Sequence, residues 1–150
     1  MSETHTKPLT GSCLCEAVRW TARAQPLFPG HCHCSDCRKT SGTGHMSLFG
    51  MPAAAFEVQG EVRFFAKPAA SGNVVRRGFC PTCGSFVYST NDAMPDLRFL
   101  SVNSMDEPER FAPSLVVWSK RQLSWDQHAG DLPRFETNPS PEEILSGSAG

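Results

Sequence analysis

The chain has 150 residues, 39% of them hydrophobic and 19% charged, which suits one domain with one enclosed core and is too apolar for a disordered chain. A formal net charge of −1 supplies no broad basic footprint for a nucleic-acid backbone, so nucleic acid is not an expected partner. No apolar run approaches the ~18 residues of a membrane span, and residues 1–10 lack the apolar middle of a secretory signal, so the expectation is a cytoplasmic protein without a membrane partner.

In chain order, residues 1–10 are read as a flexible lead-in. Val18, Trp20 and Ala22 then alternate with Arg19, Thr21 and Arg23, the period of a half-buried strand. Residues 35–41 are expected to make a short turn of helix that Gly42 stops, and residues 47–49 a strand. Phe56 to Val58 and Val62 to Phe65 flank Gln59, Gly60 and Glu61, which predicts a hairpin with a glycine turn. Further strands are expected at residues 73–76, 85–88, 97–102 and 115–118. Ser140, Pro141, Glu142 and Glu143 form a capped helix start in the C-terminal tail, residues 136–150, and Gly147 limits that helix to about two turns. The 12 prolines and 12 glycines fall between these segments, so the fold class is mainly β, short strands joined by tight turns. Trp118 and Trp125 are read as packing residues rather than a nucleic-acid surface, and phosphate-binding and serine-hydrolase signatures are absent from the sequence.

Seven cysteines carry the chemistry. The number is odd and a reducing compartment keeps thiols free, so metal or thiol chemistry takes precedence over a disulfide framework. They fall in three clusters: Cys13 with Cys15, then Cys32, Cys34 and Cys37, then Cys80 with Cys83. Structural zinc takes four ligands, usually as two close pairs from separate segments, and the first and third clusters are such pairs. Pro81 and Gly84 give the third the form of a zinc knuckle, because Gly84 can take the positive φ that turns N–H groups toward the thiolates. A structural zinc returns ~10 kcal/mol or more of apparent binding free energy, as much as a domain this size has in total, so the metal-free chain should fold poorly.

The middle cluster has three thiolates and no cysteine left to complete it. Three protein ligands plus an open position is the catalytic arrangement, so the count predicts two zinc ions per chain. In an extended segment Cys32 and Cys34 share a side and His33 points away; swung inward, His33 would close the site and make it a second structural zinc. Arg38, Lys39, Arg76 and Arg77 adjoin the clusters and either compensate thiolate charge or receive an anionic substrate. His33, His45 and Tyr88 are the candidates for a proton donor.

These residues resemble the glutathione-dependent formaldehyde-activating enzymes and their centromere-protein-V-like relatives. The likeness lies in Gly11-Ser-Cys13-Leu-Cys15, in Cys32-His-Cys34-Ser-Asp-Cys37-Arg-Lys-Thr-Ser-Gly42 and in Phe79-Cys80-Pro-Thr-Cys83-Gly84. Trp118-Ser-Lys120, Trp125 and Asp131-Leu-Pro-Arg-Phe135 look like the family's closing segment, so the resemblance spans residues 11–135 as one zinc domain. It implies folded β-sheets of a tent-like form, a structural zinc on Cys13, Cys15, Cys80 and Cys83, and a catalytic zinc on Cys32, Cys34 and Cys37. It also implies reversible addition of glutathione to formaldehyde, a carbon–sulfur lyase reaction when run backwards. Glutathione or another small thiol and an aldehyde are then the partners. Where the family often has glycine after the second cysteine, this chain has Glu16. The rival expectation is a non-catalytic zinc module for protein or nucleic acid, and a metal-storage or redox-sensing protein is a third.

Overall fold

The computed structural model describes residues 7–146. Its strands are β1 (Leu9–Ser12), β2 (Arg19–Ala22), β3 (Leu27–Cys32), β4 (Met46–Pro52), β5 (Phe56–Gln59), β6 (Arg63–Pro68), β7 (Val74–Phe79), β8 (Phe86–Asn91), β9 (Leu97–Ser101) and β10 (Leu115–Val117), and its helices are α1 (Ser35–Ser41) and α2 (Pro141–Ser146). The fold is mainly β, as the patterning requires. Among the described residues no helix is long and apolar enough to cross a membrane.

Two compact units share the chain, each built from separated stretches. The first takes residues 1–27 and 50–110, the second residues 28–49 and 111–150. In the first, β1, β2 and β5 form an antiparallel sheet, with Trp20 opposite Gly11 on one side and Val58 on the other. The alternation read along β2 is the burial observed: Val18, Trp20 and Ala22 are enclosed and Arg19 is exposed. The indole N–H of Trp20 donates to Ser104 Oγ at 3.0 Å, and that hydroxyl donates to the Ser101 carbonyl at 3.0 Å, so the enclosed polar atoms are paired. A second run, β6–β7–β8–β9, is antiparallel throughout and carries the buried Val87 and Leu100.

The hairpin expected from residue 56 to 65 does not form. Its two strands go to different sheets, β5 pairing with β2 and β6 with β7. Gly60, with φ +97°, lies between them against the chain entering β2, so close to the Ala17 carbonyl that a Cβ would clash. The lead-in also differs. Residues 1–6 lie outside the described residues, but Leu9 and Thr10 belong to β1 rather than to a flexible segment.

In the second unit β10 runs parallel to β3 and β4 lies on the other side of β3. Pro29 and Gly30 punctuate β3 and hide it from pattern reading, yet a parallel neighbour accepts it, with Leu115 opposite Gly30 and Val117 opposite Cys32. Phe49, Val116 and Phe135 are enclosed here. Trp118 takes a left-handed φ of +56° where β10 ends, donates its indole N–H to Asn138 at 3.0 Å and lies under the Lys120 ammonium. Trp125, expected to pack, is instead exposed. The capping box of α2 is present, Ser140 N–H donating to Glu143 and Glu143 N–H to Ser140 Oγ.

Replacing Gly60 by alanine should cost about 2 kcal/mol or more, the left-handed backbone and the carbonyl clash acting together. Gly72, with φ +90° and open space around it, should cost only about 1 kcal/mol when changed to alanine. Denaturant melts of the two variants check this; equal losses would show that the approach to Ala17 is not a constraint.

Candidate functional site

The Cys13, Cys15, Cys80 and Cys83 sulfurs lie within 4.8 Å of one another in the first unit. Cys15 Sγ stands 3.7 Å from Cys13 Sγ and 3.7 Å from Cys80 Sγ. A disulfide would need about 2.05 Å. Four thiolates around a tetrahedral zinc with Zn–S of about 2.3 Å would instead be separated by about 3.8 Å, which these spacings match. The fit to a thiolate-bound ion is therefore geometric as well as chemical.

Local backbone serves the same four sulfurs. The chain leaves β7 at Phe79 and turns through Pro81 to Gly84, whose φ of +77° lets its N–H reach the Cys80 carbonyl at 2.8 Å. Thr82 and Cys83 N–H groups donate to Cys80 Sγ at 3.4 and 3.5 Å, and Val18 N–H to Cys13 Sγ at 3.3 Å. Ser85 Oγ lies 3.2 Å from Cys83 Sγ and accepts from Leu14 N–H at 3.1 Å, joining the two segments. The Ser85 contact holds the Cys83 thiol down at about 5, and the Cys83 N–H holds Cys80 down as well. Glu16 takes the left-handed φ of +67°, which explains why glycine suits this position; here the Arg19 guanidinium donates to its carboxylate at 2.8 Å.

In the second unit, Cys32, Cys34 and Cys37 also bring their sulfurs within 4.8 Å of one another. Cys32 is the last residue of β3, Cys34 is the N-cap of α1, and Cys37 lies in its first turn, where its N–H donates to Cys34 Sγ at 3.3 Å. Gly42 ends α1 in the left-handed conformation, as the sequence indicates. Hydrogen bonds from the Cys32 and Cys37 thiols drive Cys34 far below the usual thiol range, aided by the Cys37 and Asp36 N–H groups. Hydrogen bonding within the trio and burial push Cys32 and Cys37 up. Three sulfurs held this close are soft donors of the kind a divalent transition ion takes.

His33 does not join them. Its Nε2 lies 2.7 Å from His128 Nε2, and its Nδ1 faces Asp126 at 3.6 Å. It belongs to a group that sequence reading missed: ring nitrogens of His31, His45 and His128 within 4.8 Å of one another, and His33, His45 and Asp126 likewise. Burial first, then the neighbouring rings, pushes His31 and His33 down to about 4 and lowers His128, so these imidazoles are neutral at physiological pH. Burial works against Asp126, but the His45 hydrogen bond at 2.6 Å and the adjacent rings hold it below the usual carboxylate range. The legible signal was the paired spacing His31-x-His33 and Asp126-x-His128.

The remaining expected residues are placed as follows. Arg38 and Lys39 are exposed on α1 in the second unit. Arg76 and Arg77 lie on β7 in the first, and the Arg76 guanidinium is engaged by Asp92. Tyr88 packs between the Phe56 and Phe64 rings, and burial raises its phenol.

The sequence profile of the family described as glutathione-dependent formaldehyde-activating enzyme matches residues 8–121. A Halomonas elongata protein provisionally named a glutathione-dependent formaldehyde-activating enzyme is 30% identical over 112 residues, which cover 68% of this chain and 71% of the relative. The crystal structure of a Rhodobacter sphaeroides protein solved for structural genomics shares the fold, with a TM-score of 0.52 at 19% identity over 65% of this chain and 87% of that one.

The two thiolate groups should fail differently. Cys80→Ser should lose one metal equivalent together with much of the strand signal in circular dichroism, whereas Cys34→Ser should lose one equivalent with the strand signal retained. Equal loss of secondary structure in both variants would contradict this division of labour.

Proposed function

Because the chain belongs to the glutathione-dependent formaldehyde-activating enzyme family, we propose that it adds glutathione, or a similar small thiol, to a small aldehyde such as formaldehyde and catalyses the reverse carbon–sulfur cleavage. The observation that carries this reading is the division of the cysteines into a group of four and a group of three. A tetrahedral ion takes all its donors from the first group; the second leaves it one open position, the arrangement of catalytic zinc. In this reading Cys13, Cys15, Cys80 and Cys83 hold a structural zinc, and Cys32, Cys34 and Cys37 a catalytic one. Zinc at the trio supplies Lewis acidity that keeps a substrate thiol ionised near neutral pH, where a free thiol of pKa about 8.5 is mostly protonated.

The chain's own groups do the rest. The Cys37 N–H fixes Cys34, and the strand end and helix start hold the three sulfurs at their spacing. Arg38 and Lys39, exposed just after Cys37, are suited to glutathione's carboxylates, while Arg76 already holds Asp92. In the forward direction the thiolate sulfur bonds to the carbonyl carbon, the carbonyl π pair moves to oxygen, and that oxygen takes the proton the thiol released. Cleavage reverses each change.

With glutathione and formaldehyde the metal-loaded protein should accelerate both formation and breakdown of S-(hydroxymethyl)glutathione, followed by nuclear magnetic resonance. Cobalt at the trio should change its absorption when glutathione binds. Arg38→Gln with Lys39→Gln should weaken glutathione binding about tenfold or more at unchanged metal content, since a charge-assisted contact contributes about 1.5 to 3 kcal/mol. A fully loaded protein that neither binds the thiol nor alters the adduct's rates overturns the reading in favour of a metal-dependent binding module.

A further inference from the structure

The sheet edges are not finished alike. The outer side of β1 makes a bridge from Gly11 to Met105. The outer side of β10 bonds to residues 133–135, Val116 N–H donating to the Pro133 carbonyl and Phe135 N–H to the Val116 carbonyl, both at 2.8 Å. β6, the last strand of its sheet, has no strand on its outer side among the described residues. All 6 of its residues are exposed, and they include Phe64 at 45% and Phe65 at 62%. An exposed edge presents a row of unpaired N–H and C=O groups, which proteins ordinarily blunt with charge, proline or a cover. Here two aromatic rings stand between Arg63 and Lys67.

Alternation assigns these side chains to faces. Val62 and Phe64 lie over Gly78 of β7, and the Phe64 ring meets Tyr88 edge-on with centroids 5.5 Å apart. Arg63, Phe65 and Lys67 take the other face. A two-fold axis normal to the sheet sets a second copy of β6 antiparallel to the first and continues each face, and charge then selects the register. With Phe65 on the axis, Arg63 meets Lys67 of the second copy on both sides; with Arg63 on the axis, two guanidinium groups meet. A ladder centred on Val62 would run through Gly60, whose φ of +97° is not extended, and one centred on Ala66 would run through Pro68, which has no N–H. With Phe64 on the axis the ladder runs from residue 61 to residue 67. Glu61 then lies opposite Lys67 of the second copy and Arg63 opposite its Phe65, so unlike charges meet at both ends and a guanidinium meets a ring between them. Phe64 lies opposite itself, which extends the Tyr88–Phe64 contact across the axis.

We propose that the outer edge of β6 is a self-association surface whose occupant is a second copy of this chain, paired antiparallel about Phe64. Pro68 falls one position past that ladder and ends it without forfeiting a bond. Glu61, exposed and 4.0 Å from Arg63 within its own chain, is placed at the head of the ladder to meet the incoming cation. A single strand ladder is a small interface, so the association is concentration-dependent. The surface lies apart from the reaction proposed above and does not rest on it.

The test follows the mass of the full, metal-loaded chain by analytical ultracentrifugation from about 1 μM to about 1 mM. The parent should pass from monomer to dimer across that range. Glu61→Lys and Lys67→Glu each set like charges opposite one another at both ends of the ladder and should weaken association about tenfold, with circular dichroism and metal content unchanged because both side chains are exposed. Mixing the two variants restores unlike charges at both ends, so they should form a heterodimer about as tight as the parent's dimer. A parent that stays monomeric up to about 1 mM overturns the proposal. A dimer that neither variant weakens is formed by another face and also overturns it, as does weakening that mixing fails to repair.

Discussion

The convergence of four sulfurs in the first unit is the constraint on which the rest depends. Cys15 and Cys80 are 65 positions apart in sequence, and their sulfurs stand 3.7 Å apart. Like thiols do not gather at that spacing for their own sake, because packing four polarisable groups without a bridging bond or ion returns little against the entropy of closing so long a loop. The spacing fits a tetrahedral cation, and such an ion would contribute binding free energy on the scale of a whole domain's stability. The three-stranded sheet and the run β6–β7–β8–β9 both lead into the four sulfurs, since Cys13 follows β1 directly and Cys80 follows β7 directly.

Around that closure the backbone is arranged to serve sulfur. Gly84 and Glu16 both take left-handed conformations, one on each side of the ligand set. At Gly84 the residue type suits the geometry without strain, whereas at Glu16 a side chain is carried into it and secured by Arg19. Backbone N–H groups donate to the Cys13 and Cys80 sulfurs, and Ser85 joins the two segments through a hydroxyl that touches Cys83 and accepts from Leu14.

The second unit draws two groups of side chains from one short stretch of chain. From the end of β3 into the start of α1 the order His31-Cys32-His33-Cys34 separates the two: the Cys32 and Cys34 sulfurs gather with Cys37, while the His31 and His33 rings meet His45 and His128. The thiolate side is completed locally, by a helix that starts at Cys34 and brings Cys37 round within one turn. The imidazole side is completed from far along the chain, by Asp126 and His128. Parallel pairing with β10 holds β3 in place, and the His33 N–H donates to the Val117 carbonyl just beyond the paired residues.

The sequence alone determined what depends on close spacing. The ligand pairs, the helix over Ser35–Ser41 with its Gly42 stop, the alternation through Val18, Trp20 and Ala22, and the capping box of Ser140 and Glu143 all involve residues within a few positions, where local geometry decides the outcome. The cysteine clusters also pointed to the family, because their types and intervals are themselves the motif. Tertiary structure decided what depends on partners distant in sequence. Gly60 reads as a hairpin turn until the Ala17 carbonyl presses against it, and Pro29 and Gly30 read as a break until β10 supplies a parallel neighbour. His33 could face the thiolates or turn away until His128, 95 positions later, pairs with its Nε2. Each of these is a choice between locally equivalent conformations, and only a long-range contact breaks the tie.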